Sequence, residues 1–177
     1  VEPPAELSPE PPDPVSQPCS GTLGLPSVPA RLVETTNVRT VDLDGDGHLD
    51  LVYRHSMKWY VEKGRGDGTF GDTRVIDVPM NASLRSVVDL DGDAYPDLVM
   101  TVVEQGRVNL LVARNDGGGH FGPPETYPEV FPSPISELAF ADLDGDGRLD
   151  LLARASSEVL VARNLGGSFG DVATYGL

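Results

Sequence analysis

Cysteine is nearly absent. Cys19 is the single one in 177 residues, which excludes an internal disulfide. Its neighbours Gln17-Pro18-Cys19-Ser20 do not resemble a lipoprotein cleavage site, so a passive thiol is expected, with an intermolecular bond as the alternative. No apolar run is long enough to span a membrane; the stretch 108–113 is strand-sized. No basic segment followed by an apolar one opens the chain, so a secretion signal is expected to be already removed or never present. Histidine is limited to His48, His55 and His120, and no nucleophile elbow, zinc motif or phosphate loop occurs. Bases are scarce as well: 13 Lys and Arg stand against 28 Asp and Glu, a net charge of −15. Such a field repels nucleic acid, whose phosphates need clustered Lys and Arg, and suits divalent cations. Sustained 3.6-residue periodicity is missing throughout, which excludes a helical fold.

What is present is glycine (20), proline (16) and repetition. Nine of the prolines fall within residues 1–29, interleaved with Glu2, Glu6, Glu10 and Asp13. Proline removes backbone donors and favours extended geometry, so residues 1–30 read as a linker or strap. From residue 31 to 177 the chain repeats itself. Three acidic loops occur: Asp42-Leu43-Asp44-Gly45-Asp46-Gly47-His48-Leu49-Asp50, Asp89-Leu90-Asp91-Gly92-Asp93-Ala94-Tyr95-Pro96-Asp97 and Asp142-Leu143-Asp144-Gly145-Asp146-Gly147-Arg148-Leu149-Asp150. Their starts lie 47 and 53 residues apart. A Phe-Gly turn follows each loop, with Phe70, Phe121 and Phe169 at offsets of 28, 32 and 27 from the loop starts. Between these landmarks lie short runs rich in β-branched residues; in the middle unit they cover 84–88, 98–103, 108–113 and 125–130. Four antiparallel strands per repeat of this length predict an all-β protein of propeller blades, with units of about 31–80, 81–132 and 133–177.

The acidic loops and Phe-Gly turns resemble the FG-GAP or VCBS repeats of integrin α-chain propellers and many secreted bacterial proteins. The resemblance covers about residues 31–177. It implies an extracytosolic recognition scaffold, secreted, extracellular or periplasmic, with protein or glycan ligands.

Calcium takes six to eight oxygens. Aspartates at loop positions 1, 3, 5 and 9 converge on one point where a glycine at position 4 permits a tight curl, and position 7 adds its carbonyl. The expected ligand sets for three Ca²⁺ are therefore Asp42, Asp44, Asp46, Asp50 and the His48 carbonyl; Asp89, Asp91, Asp93, Asp97 and the Tyr95 carbonyl; and Asp142, Asp144, Asp146, Asp150 and the Arg148 carbonyl. Three ions would bring the charge from −15 to −9. An EF-hand is excluded because position 12 is Tyr53, Met100 and Ala153, not Glu. Magnesium fits less well, since it keeps near-octahedral geometry and its own waters; zinc and copper would want His or Cys. In the second loop Ala94 replaces glycine at position 6 and Pro96 stands at position 8, so binding there is expected at altered affinity.

Smaller features complete the expectations. The phenylalanines are expected to anchor blade to blade. Lys63-Gly64, Arg114-Asn115 and Arg163-Asn164 precede the Phe turns; turn chemistry accounts for Gly and Asn, and the basic residues are expected in solvent. Three blades are fewer than a closed ring requires, so a homodimer of about six blades is expected, with a trimer, a partner chain or a fragment of a longer protein as alternatives. A lectin is the second functional reading, although Trp59 and Tyr60 recur in no other unit. An accessory domain of a secreted hydrolase or lyase is the third. The chain is expected not to be an enzyme, and His55 near Tyr53 and Lys58 is the sole cluster worth testing for catalysis. Asn81-Ala82-Ser83 fits a glycosylation sequon.

Overall fold

The computed structural model describes residues 36–131, 135–166 and 168–176. The proline-rich segment 1–30 and Cys19 therefore lie outside the described residues. Twelve strands and no helix form among the described residues. They make three sheets of four strands each, every neighbouring pair antiparallel.

The first sheet joins β1 (Thr36–Val41), β2 (Asp50–His55), β3 (Lys58–Gly64) and β4 (Phe70–Ile76) in that order. The second joins β5 (Ser83–Val88), β6 (Asp97–Glu104), β7 (Arg107–Ala113) and β8 (Glu125–Phe131). The third joins β9 (Glu137–Ala141), β10 (Asp150–Ala155), β11 (Glu158–Asn164) and β12 (Phe169–Gly176). The runs of the middle unit become strands within a residue of their expected ends. Chain order within each sheet equals spatial order, the meander of a propeller blade. The array is open.

Tight turns set the register. Ser56 and Met57 both take positive φ, 47° and 65°, between β2 and β3; Gln105 and Gly106 do so between β6 and β7. Positive φ at both central positions matches the twist of the flanking strands. The resulting register pairs Tyr53 with Tyr60 and Met100 with Leu111.

Two cores form, one at each junction between blades. Val52, Trp59, Val61 and Ile76 of the first blade meet Leu84, Leu98, Met100 and Leu111 of the second. Val99, Leu110 and Val112 on the opposite face of the second blade meet Leu151, Ala153, Leu160 and Ala162 of the third. The middle blade is thus covered on both faces, and six successive residues of β6 are buried. Each buried Leu or Val contributes about 1.5–3 kcal/mol. Trp59 is fully buried and its indole donates to the Ala82 carbonyl at 3.3 Å. It is a core residue, out of reach of any sugar.

The phenylalanines divide. Phe121 packs against the first core and Phe169 against the second. Phe70 is exposed, contrary to the expectation of an anchor: Phe121 and Phe169 pack against the core shared with the preceding blade, and among the described residues no blade precedes the first.

Candidate metal centres

Each acidic loop links the first strand of a blade to the second. Position 9 opens the second strand and is buried in all three blades, as Asp50, Asp97 and Asp150. Its Oδ2 accepts the amide of position 2, from Leu43 at 2.9 Å, Leu90 at 3.2 Å and Leu143 at 3.1 Å. Its Oδ1 accepts an amide from the end of the third strand, from Gly64 at 2.8 Å, Asn115 at 3.0 Å and Asn164 at 2.9 Å. The carboxylate therefore ties the loop's beginning to a strand far along the chain. Burial without those donors would cost several kcal/mol.

Position 1 curls the loop. The Oδ1 atoms of Asp42, Asp89 and Asp142 accept the amides of Gly45, Gly92 and Gly145. Their Oδ2 atoms accept those of Gly47, Ala94 and Gly147. The position-4 glycines stand at φ of 74°, 83° and 79°, the left-handed region that a Cβ disfavours. Asp46, Asp93 and Asp146 at position 5 each accept the amide of position 7 at 2.8 Å.

This curl brings carboxylates together. Asp42, Asp44 and Asp50 each place an oxygen within 4.8 Å of the others, and so do Asp89, Asp91 and Asp97. In the third loop the corresponding group is Asp142, Asp144 and Asp146. Asp46, Asp93 and Asp150, expected in the same ligand sets, are not in these groups. All donors are carboxylate oxygens, which are hard ligands that fit calcium.

A basic side chain reaches into every loop. Lys63 pairs with Asp44 and stands 3.2 Å from Asp46. Arg114 lies 2.8 Å from Asp97 and 3.7 Å from Asp91. Arg163 pairs with Asp144 and lies 3.5 Å from Asp150. These residues occupy one position, the end of the third strand, and are not the solvated surface charges expected from the sequence. A constant offset of one residue before the Gly or Asn is the signal that could have found them.

The electrostatics follow from these contacts. The His48 amide holds Asp46 below the ordinary carboxylate value, with Lys63 assisting. Amides led by that of Gly147 do the same for Asp142. Burial pushes Asp97 up, against the opposing pull of Asn115 and Arg114. Hydrogen bonding to Asp44 raises Lys63.

Around His55, Lys58 is its cross-strand partner, and Tyr53 is engaged elsewhere. The Tyr53 hydroxyl donates to Glu62 Oε1 at 2.6 Å, and its ring stacks on Tyr60 with centroids 5.4 Å apart. His55 tilts against Tyr60, and its Nδ1 is buried without a hydrogen-bond partner among the described residues.

The family model of the FG-GAP-like repeat matches residues 42–100 and 89–153, and that of the FG-GAP repeat matches 135–175. No curated protein matches the chain. Among solved structures it is similar to an Agrocybe aegerita lectin described as recognising non-reducing terminal N-acetylglucosamine, at 22% identity and a TM-score of 0.38. That match covers 76% of this chain and 50% of the lectin chain. It is also similar to a TcdB2-TccC3-Cdc42 structure, at 17% identity and a TM-score of 0.32, covering 84% of this chain and 12% of that one. The chain thus spans about half the length of the lectin, and far less of the other.

Proposed function

Because this chain belongs to the FG-GAP-like repeat family, we propose that it is a non-catalytic, calcium-binding propeller module that presents a recognition surface outside the cytosol. The observation that carries this reading is the threefold recurrence of one acidic curl, each with three carboxylate oxygens within 4.8 Å of one another. Like charges at such spacing repel unless a cation lies among them. In the first blade the ion would be held by Asp42, Asp44, Asp46, Asp50 and the His48 carbonyl, and in the other blades by the equivalent residues. Bound calcium supplies charge neutralisation and a rigid coordination shell and does no chemistry. The millimolar calcium of extracellular fluid fills loops of this kind, which is why the module is placed there. Protein or glycan ligands follow from the family alone, and fold does not fix which.

A lectin reading gains nothing from Trp59 or Tyr60: Trp59 is buried and Tyr60 stacks on Tyr53. Three blades are fewer than a ring requires, so further blades must complete it; the homodimer expected from the sequence is one source of them.

Calorimetric titration of calcium into the chelated chain tests the ion sites. Three binding events and a rise in melting temperature are expected. Heat-silent titration with an unchanged melting curve would reject the calcium assignment.

A further inference from the structure

We propose that the outward face of the first blade is a docking strip for the proline-rich segment of its own chain, which crosses β2 and β3 as a single extended strap. The proposal goes beyond the recognition role above and does not depend on the ion.

One face of β2 and β3 packs on the second blade through Val52, Trp59 and Val61. The opposite face pairs Leu51 with Glu62, Tyr53 with Tyr60 and His55 with Lys58. Among the described residues no blade precedes the first, so this face should resemble the open flank of the third blade. On that flank the cross-strand pair Leu152 and Val161 is half-buried. On the first blade Leu51, Tyr53 and Glu62 are exposed by only 6%, 1% and 7%. Something covers them.

The cover is narrow. Cross-strand partners share a face, so Thr40 lies on the side of Leu51, and Val75 on the side of Tyr60. Thr40 is exposed, and Val75 is 57% exposed. Burial is thus confined to the two middle strands. A blade laid on a blade reaches the outer strands as well, as Val41 and Ile76 show at the first junction. A single extended chain does not.

The chemistry of the strip fits proline. Tyr53 and Tyr60 stack with their planes 15° apart, an aromatic platform of the kind that receives polyproline helices. The equivalent pairs in the other blades are Met100 with Leu111 and Ala153 with Leu160. His55 Nδ1 is buried without a hydrogen-bond partner among the described residues. A polyproline backbone, whose carbonyls make no internal bonds, can accept from an imidazole nitrogen. Residues 1–29 hold nine prolines, and residues 1–35 hold five acids against the single base Arg31. That charge suits the exposed Lys58 beside His55.

The reach fits as well. Thr36 opens β1 opposite Arg54, the neighbour of His55, so the segment enters at one end of the strip. About seven polyproline residues, at about 3.1 Å each, cover the strip's length of about 20 Å. A blade completing the ring from this side has to displace the strap.

The test is hydroxyl-radical footprinting of the full chain, read by mass spectrometry. Tyr53 and Tyr60 are expected to oxidise several-fold more slowly than Tyr175, which is 58% exposed. Replacing the nine prolines of residues 1–29 by glycine keeps the length and removes the polyproline geometry. That variant is expected to oxidise several-fold faster at Tyr53 and Tyr60, with Trp59 on the opposite face unchanged as the sign that the blades still pack. Unchanged tyrosine oxidation overturns the proposal. So does protection that grows with protein concentration, which would place a second copy on the face. A second variant leaves the segment intact: in Tyr60→Ala, cleavage within residues 1–30 by a glutamate-specific protease is expected to speed up several-fold. An unchanged cleavage rate overturns the proposal just as firmly.

Discussion

Ala94 sits at φ 75°, where the sibling loops have Gly47 and Gly147 at 83°. Nothing lies within 4 Å of a Cβ built on either glycine, so the cost at this position is backbone strain and not crowding. The left-handed region costs an L-residue about 1–2 kcal/mol, partly offset by the greater unfolded freedom of glycine. Ala94→Gly is therefore expected to stabilise the protein by about 0.5–1 kcal/mol, while Gly47→Ala and Gly147→Ala destabilise it by a similar amount. Urea denaturation of the three variants measures this, and a destabilised Ala94→Gly would refute it. The basic residues at the ends of the third strands make a second residue-scale prediction. Lys63, Arg114 and Arg163 neutralise the loops from within the protein, and a divalent ion entering the same carboxylates must share or displace them. Arg114→Met is expected to raise calcium affinity at the second loop several-fold and to lower the melting temperature in chelator. Loss of affinity in that variant would mean that the guanidinium supports the ion.

The blade is the next level of organisation, and its junctions depend on single side chains. Asn115 and Asn164 each join two loops that are more than 70 residues apart in sequence, from Asn115 back to Leu43 and from Asn164 back to Leu90. Asn115→Ala and Asn164→Ala leave buried carbonyls unpaired, and each is expected to cost about 1–3 kcal/mol by thermal or urea melts. Gly64→Ala should be at least as harmful, because the added carbon meets the Leu49 carbonyl. Strand positions in the middle unit were legible because alternation and turn residues are local signals. The joining role of Asn115 was not. Asn115 in a turn is explained equally well by turn chemistry, and its partner at Leu43 is brought near only when two blades pack. Trp59 illustrates the same limit: its indole is in the core because the face of β3 it occupies meets the second blade.

At the scale of the molecule, charge and incompleteness dominate. The net charge is −15, and twelve of the 28 acidic residues fall in three loops, so screening matters most when no ion is bound. Raising sodium chloride shortens the screening length from about 10 Å at 0.1 M to about 3 Å at 1 M. The melting temperature of the chelated protein is expected to climb with salt, and that of the calcium-saturated protein to change much less. Equal salt responses would mean that the loops are not the source of the repulsion. The open array adds an asymmetry that the repeats conceal: Leu143 is exposed in the third blade, while Tyr53 and Glu62 of the first are buried.

The sequence alone determined that the protein is all-β, that it repeats three times, and which aspartates share a loop. Those properties follow from period, turn residues and spacing, which act over a few residues. Only the tertiary structure decided which face of each blade receives a neighbour, where Lys63, Arg114 and Arg163 place their charges, and why Phe70 stays exposed when Phe121 and Phe169 do not. Each of these depends on contacts between segments far apart in the chain, and such contacts exist only after the sheets have packed.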